Sequence, residues 1–352
     1  MVNAMGAKTF LAAALAALSW TGMSAAQAPT PGTLETYKDW TIGCDNRNRC
    51  EAVALLPEGG EWPDNPVMVG VSRDAGPDAE AEVWVSRDAK GDGDVSFIVD
   101  GRRLATARTR NGDATVRGPQ AAALVIAMAR GNQMELRAGN RLLGRPSLAG
   151  SGAALRYMDA RQGRAGTSTA LVATGPLGPL AVRAAPPAPV IKRAPVPAGG
   201  APVALWREER TALGTFTGCT EDMREAEPPQ LYRLSKTETL ILVPCGSGAY
   251  NFTTIPVIAT GIAGRRAFHF APFDYKPGWS EEEAKPMLVN AGWVPEKSEL
   301  SSFAKGRGIG DCGGSETYVW DGSRFRLTEA TSMGECRGAW HWIRTWSARV
   351  SD

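Results

Sequence analysis

The chain has 352 residues, 43% of them apolar and 22% charged, which is ordinary for soluble globular protein and excludes a multi-span membrane protein, a coiled coil and a wholly disordered chain. A formal net charge of +2, from 39 basic and 37 acidic residues, provides no global field for nucleic acid or anionic lipid. Only two histidines are present, so few acid–base mechanisms are open to it.

Residues 1–28 read as a secretory leader: one positive charge at Lys8, an apolar stretch from Phe10 to Leu18, and the small-x-small site Ala26-Gln27-Ala28. Cleavage is expected after Ala28. The apolar stretch is shorter than the ~20 residues a spanning helix needs, and no later segment qualifies, so no transmembrane segment is expected after cleavage. The expected location is the periplasm, with release from the cell as the alternative.

Residues 29–175 predict a first module of short strands at 40–44, 51–56, 66–72, 81–86 and 95–100, separated by Gly, Asp and Pro. Helical spacing appears over 120–130 and again over 147–161, where Leu148, Leu155 and Met158 fall near one face. The expectation is a β-sandwich closed by one or two helices. Residues 176–203 form a linker: eight prolines within 176–202 deny a helix or sheet its backbone donors and favour an extended, semi-rigid spacer.

Residues 204–352 predict a second β-rich module holding seven of the eleven tryptophans. One hairpin is expected over 232–244. Another is expected over 318–327, where Asp321-Gly322 supplies a tight turn. Ser280-Glu-Glu-Glu283 has the form of a capping box and predicts a short helix that Pro286 curtails. The fold class is therefore mainly β (α+β), in two modules.

In an oxidising compartment the six cysteines read as disulfides, and the absence of any C-x-x-C pair argues against thioredoxin-like redox chemistry and structural zinc. Nearest-neighbour pairing joins Cys44 to Cys50, Cys219 to Cys245 and Cys312 to Cys336, with the four later cysteines open to other pairings.

The runs Ser302-Phe-Ala-Lys-Gly-Arg-Gly-Ile-Gly-Asp-Cys-Gly313, Tyr318-Val-Trp-Asp-Gly322 with Phe325 and Leu327, and Glu335-Cys-Arg-Gly338 resemble the exported, six-cysteine bacterial family DUF1176. So do the segments 243–251, Ser147-Leu-Ala-Gly150 and Gln162-Gly-Arg164 with Gly166-Thr167. The resemblance implies export and six cysteines but no activity. The opening Trp40…Cys44…Cys50 is separately similar to the invasion-associated locus B proteins of Gram-negative envelopes.

A Ser-His-Asp hydrolase would need His269 or His341 beside a serine elbow, and no G-x-S-x-G occurs. His341, among Trp340, Trp342 and Trp346, reads as a packing residue. The run 88–94 has acids where a calcium loop needs some of them, but Lys90 and Val99 stand where ligands belong, so it reads as a turn. No metal and no cofactor is expected. In the run from Lys305, the residues Gly306, Arg307, Gly308, Gly310 and Asp311 are the candidate anion site, since glycine N–H groups can converge while Lys305 and Arg307 add charge. The competing reading is a tight loop leading into the Cys312 disulfide. Trp340, Trp342 and Trp346 alternate as in a strand and predict one aromatic face, either core or a platform for a sugar or protein. The reading reached is a non-enzymatic envelope protein that binds a protein or an anionic glycan, and no nucleic acid. Two alternatives stand beside it: a carboxylate hydrolase of a wall polymer, drawing on Asp274 and Glu281–Glu283, and an inhibitor of an incoming lysozyme or protease.

Overall fold

A computed structural model describes residues 1, 28–60, 62–63, 66–88, 92–195, 199, 201–220, 228–280 and 285–352. The leader, the centre of the 88–94 turn and the acids of the 280–283 capping box lie outside the described residues.

The first half contributes β1 (Leu34–Tyr37), β2 (Trp40–Cys44), β3 (Cys50–Ala54), β4 (Val67–Arg73) and β5 (Ala81–Arg87). After them come β6 (Gly93–Val99), β7 (Arg102–Thr109), β8 (Ala114–Val116), β9 (Met134–Ala138) and β10 (Arg141–Gly144). Strands β1-β2-β3-β4-β5-β8 make a six-stranded antiparallel sheet, and β10-β9-β6-β7 make a second sheet of four. Two helices, α1 (Gly118–Arg130) and α2 (Ser151–Arg161), fall where the helical spacing put them. They bury Leu124, Val125, Met128, Leu155 and Met158 in one core with Trp40, Ile42, Val69, Val83 and Phe97.

Strand pleat explains why β2 and β3 are buried along their whole length. Alternate residues face opposite sides of the sheet. Ala52 and Ala54 face the helices, whereas Val53 and Leu55 join Met68 in a second cluster whose other members, Cys312, Met333, Ala339, Trp342 and Ile343, come from the far end of the chain. The six-stranded sheet is thus covered on both faces, which its first strands could not reveal as local alternation.

The second half contributes α3 (Arg207–Thr217) and β12 (Gln230–Arg233), β13 (Glu238–Ser247), β14 (Phe252–Thr260), β15 (Ala267–Phe270) and β16 (Leu288–Val289). It continues with β17 (Gly292–Val294), β18 (Glu299–Lys305), β19 (Gly313–Trp320), β20 (Phe325–Met333), β21 (Ile343–Ser347) and β22 (Arg349–Ser351). Strands β12 to β15 form a sheet in sequence order, with β16 added beside β14, and β17 to β21 form another. Between the two sheets lie Leu240, Leu242, Ile258, Leu300, Tyr318 and Phe325. The intervening residues Ile241, Val243 and Val257 face the other way and pack with Leu213 of α3. That helix was not foreseen. Its start is fixed by Glu209, which accepts the Trp206 N–H at 3.0 Å and the Gly264 N–H at 2.9 Å while pairing with Arg266.

Both expected hairpins form, as β12–β13 and β19–β20. In the second, the Asp321 carboxylate accepts the Ser323 and Arg324 N–H groups at 2.8 and 2.9 Å, an Asx turn. The disulfides join Cys44–Cys50, Cys219–Cys245 and Cys312–Cys336, the nearest-neighbour pattern. Within the Pro-rich segment β11 (Val190–Lys192) pairs in parallel with β22, and the Ala194 N–H reaches the Trp320 carbonyl at 2.9 Å. Among the described residues no helix is long and apolar enough to cross a membrane.

Candidate functional site

The anion-site candidates occupy the loop between β18 and β19. The Gly306 N–H bonds the Cys312 carbonyl at 2.8 Å and the Gly310 N–H bonds that of Arg307 at 2.9 Å, so both donors are satisfied inside the loop. Arg307 forks onto Asp311, donating from Nε at 2.6 Å, and the fully buried Asp311 also accepts the Gly338 N–H at 2.8 Å. That pairing raises the Arg307 pKa. Burial alone would raise the Asp311 carboxyl, but the Arg307 and Gly338 hydrogen bonds hold it below the ordinary value. Lys305 is tied through its backbone to the Asn251 side chain at 2.8 and 3.1 Å, and Gly308 lies near the Tyr250 ring.

The loop leads into a joint between the two halves. Arg337, next to Gly338, donates to the Leu56 and Lys38 carbonyls at 2.8 Å each and to Asp39. Asp39 in turn accepts the Ser147 hydroxyl at 2.7 Å, and the Ser147 carbonyl receives the Trp40 indole N–H at 2.8 Å. Gly150, at φ +95°, lies so close to β1 that an added Cβ would sit 1.7 Å from the Tyr37 carbonyl oxygen. Three motif segments far apart in sequence, at 305–313, 335–338 and 147–150, therefore meet in one hydrogen-bonded network.

The strand expected over 340–346 begins only at Ile343, so the three tryptophans do not share one face. The preceding residues form a connection that docks on the first half. Trp340 donates to Ser86 at 3.2 Å, Trp342 stacks on Phe303 with centroids 4.6 Å apart, and Trp346 donates to the Leu327 carbonyl at 3.1 Å.

That docking creates a cleft of about 340 Å3 between the six-stranded sheet and β20–β21. Sheet register builds its floor. Glu51, Ser72 and Glu82 stand opposite one another across β3, β4 and β5, and Gly70, Trp84 and Thr115 form the adjoining row. Trp84 lies across Gly70, where a Cβ would be 2.1 Å from the indole, so only glycine lets the ring lie down. His341 covers Trp84, with ring centroids 4.7 Å apart, and its Nε2 is 3.0 Å from the buried Glu51 carboxylate. Arg49 lies 3.5 Å from Glu51, and Arg344 lies 3.0 Å from the buried Asp45.

Burial alone would raise the Glu51 carboxyl, but the His341 hydrogen bond and the charges of His341 and Arg49 hold it below 4.5. The Glu51 hydrogen bond raises His341 above 6.5 against the opposing effect of burial. A raised folded-state pKa adds stability that is complete below 6.5 and disappears as pH rises through the folded value. A lowered carboxyl adds stability present above 4.5 and lost on acidification. The pair is accordingly strongest between these limits. Thermal unfolding of the His341→Gln variant should show its largest deficit against the parent between pH 5 and 6 (about half a unit inside each limit) and none well above the raised histidine pKa. A deficit independent of pH would contradict this.

Sequence reasoning assigned His341 to packing and left Arg49, Glu51 and Trp84 unmarked. The available signal was Glu51, an acid within the apolar run Cys50-Glu-Ala-Val-Ala54. Glu316, whose carboxyl burial pushes up to about 7, stands on β19 with hydrogen bonds from Gly278 and Ser302, apart from the residues lining the cleft. No group of three or more His, Cys, Asp or Glu side chains gathers as a metal site among the described residues.

Fold and joint define a disulfide-stapled, mainly β protein whose halves share one interface, with disulfides that point to an oxidising compartment. The chain belongs to the family DUF1176, described as a protein of unknown function, whose match covers residues 34–349. It is 28% identical over 344 residues to the uncharacterized protein YpfG of Escherichia coli strain K12, covering 89% of this chain and 92% of that protein. The crystal structure of invasion associated protein B from Bartonella henselae aligns with 37% of this chain and 99% of its own, at 18% identity and a TM-score of 0.27.

Proposed function

We propose that the leader at 1–28 exports the chain to the periplasm, where it acts as a non-enzymatic binding protein of the cell envelope, with an acidic glycan fragment as the ligand of the Trp84 cleft. One observation carries this reading: an open cleft is lined by the half-buried Trp84 with the His341 ring over it and by Arg49 and Arg344, interleaved with the acids Glu51, Glu82 and Glu329. The half-exposed His341 ring, stacked on Trp84, offers an aromatic surface to a sugar ring, and guanidinium groups suit carboxylates. Arg307 is a lone cation closed onto the buried Asp311, whereas the cleft gathers three cationic groups around an open concavity, each also paired with an acid, so a ligand carboxylate would share them with Glu51 and Asp45.

Calorimetric titration of the protein with oligogalacturonate and with a muramic-acid disaccharide tests the proposal, using neutral saccharides of equal length as controls. An acidic saccharide should bind at least roughly tenfold more tightly than its neutral counterpart, and Trp84→Ala should abolish the difference. No binding by either acidic saccharide, or unchanged binding in Trp84→Ala, refutes it. The Glu51–His341 dyad favours one second reading, hydrolysis of the same polymer with His341 as acid–base group. Release of reducing ends that His341→Gln eliminates would establish that reading instead.

A further inference from the structure

A second concavity, of about 220 Å3, shares no lining residue with the Trp84 cleft. Leu56, Pro57, Trp62 and Pro66 form one wall, and the end of β10 with the residues after it forms the other. Trp62 is 42% exposed and rests against Trp340 with centroids 6.5 Å apart. The motif residues Ser147 and Gly338 also line this groove, so it opens directly over the joint.

Two further features bear on what fits there. The first is an unpaired backbone: β10 is the outer strand of its sheet and, among the described residues, pairs only with β9. Leu142 on that strand is 37% exposed. An open strand edge presents a row of N–H and C=O groups that an extended chain can complete. The second is charge. Arg87 stands opposite Val67 in the β4–β5 register, and Val67 abuts Gly144 of β10, which brings Arg87 to the strand that carries Arg141. Neither arginine has a carboxylate partner among the described ion pairs, whereas Arg137 and Arg145 share Glu135. Burial lowers the Arg87 pKa, and the like charge of Arg141 lowers it further.

We propose that this groove and the edge of β10 bind an extended, acidic segment of a partner protein, which adds as a strand beside β10. One of its apolar or proline side chains sits against Trp62, and its carboxylates meet Arg87 and Arg141. The strand edge supplies affinity independent of sequence, the Trp–Pro wall selects one side chain, and the arginine pair selects the sign of charge. A folded glycan lacks the backbone that would complete β10, and a basic segment would be repelled.

Fluorescence anisotropy of the full chain with labelled, capped dodecapeptides tests the proposal. The set carries Glu at alternate positions and Val, Leu or Pro at the centre, with Lys-for-Glu copies as controls. The acidic peptides should bind and the lysine copies should not. Affinity should fall roughly tenfold or more in Trp62→Ala, in the double variant Arg87→Glu/Arg141→Glu, and when the central peptide amides are N-methylated. Oligogalacturonate, the probe of the Trp84 cleft, should leave peptide binding unchanged, which separates this site from the cleft. Binding by none of the acidic peptides, equal binding of the lysine copies, or indifference to all three changes overturns the proposal. Unchanged melting temperatures of the Trp62 and arginine variants exclude misfolding as the cause of any loss.

Discussion

Arg337→Ala is expected to destabilise the protein by ~2–4 kcal/mol and to expose the joint between its halves to proteolysis. The Arg337 side chain is 18% exposed and Asp39, its partner, 15%. This one guanidinium serves three acceptors, the Leu56 and Lys38 carbonyls and the Asp39 carboxylate, the last of which also accepts the Ser147 hydroxyl. Truncation leaves the part-buried Leu56 carbonyl without a donor and the part-buried Asp39 carboxylate without its cation, and a shielded acceptor without its partner is desolvated uncompensated. The same connection docks His341 and Trp342 on the first half, so damage at Arg337 should also loosen the cleft. Arg337→Lys should recover only part of the loss, because an ammonium group cannot reproduce the planar fork that reaches two carbonyls and a carboxylate together. Urea unfolding of the three proteins checks this. An alanine variant within about 0.5 kcal/mol of the parent would show that the apolar contacts alone hold the joint.

The second large effect is expected at Asp159. This carboxylate, fully buried at the end of α2, accepts the N–H groups of Leu171, Val172 and Ala173 at 2.8, 2.9 and 3.0 Å. It also supplies negative charge to two arginines in the same interior. Arg164 is fully buried, donating to the Thr169 hydroxyl at 2.9 Å and to the Gly76 and Ala79 carbonyls. Arg73 is lowered to about 10 by burial and by the like charge of Arg164, against the opposing pull of Asp159. Asp159→Ala leaves three N–H groups without an acceptor and two buried cations without the carboxylate whose attraction on each is the largest. A loss of ~3–5 kcal/mol is expected, the range for breaking one side of a buried ionic set. Asp159→Asn, which keeps one acceptor oxygen, should lose less. Hydrogen exchange at residues 171–173 should accelerate in the alanine variant well beyond the rest of the chain. Uniform acceleration would mean that Asp159 supports the whole fold and not that segment.

Much of the architecture was readable because it rests on local chemistry. Asp321-Gly322 announced its hairpin through residues that satisfy their own turn, and α1 and α2 declared themselves by helical spacing. Other elements were hidden for physical reasons. The buried stripe of α3 is Glu209, Leu213, Gly214 and Thr217, with Leu213 its one large apolar side chain, and it depends on Glu209 meeting a loop some fifty residues away. Trp340, Trp342 and Trp346 alternate in the sequence, yet Trp340 and Trp342 pack in the cluster at the joint while Trp346 joins the core between the second-half sheets, because the strand begins only at Ile343. His341 read as a packing residue because its aromatic neighbours in sequence are visible and its partner Glu51 is not.

By itself the sequence determined the mainly β class, the small Cys44–Cys50 loop, the hairpins, the two first-half helices and the family, while the pairing of the four later cysteines stayed open until the structure joined Cys219 to Cys245 and Cys312 to Cys336. Each depends on turn residues, side-chain period or a short motif, which act over a few positions. The tertiary structure alone decided that the motif segments converge on Asp39 and Arg337, and that Glu51, Trp84 and His341 share a cleft. Those residues come from opposite ends of the chain. Burying their charges is favourable only when two complementary surfaces exclude water and supply every partner at once, and no short window of sequence contains both surfaces.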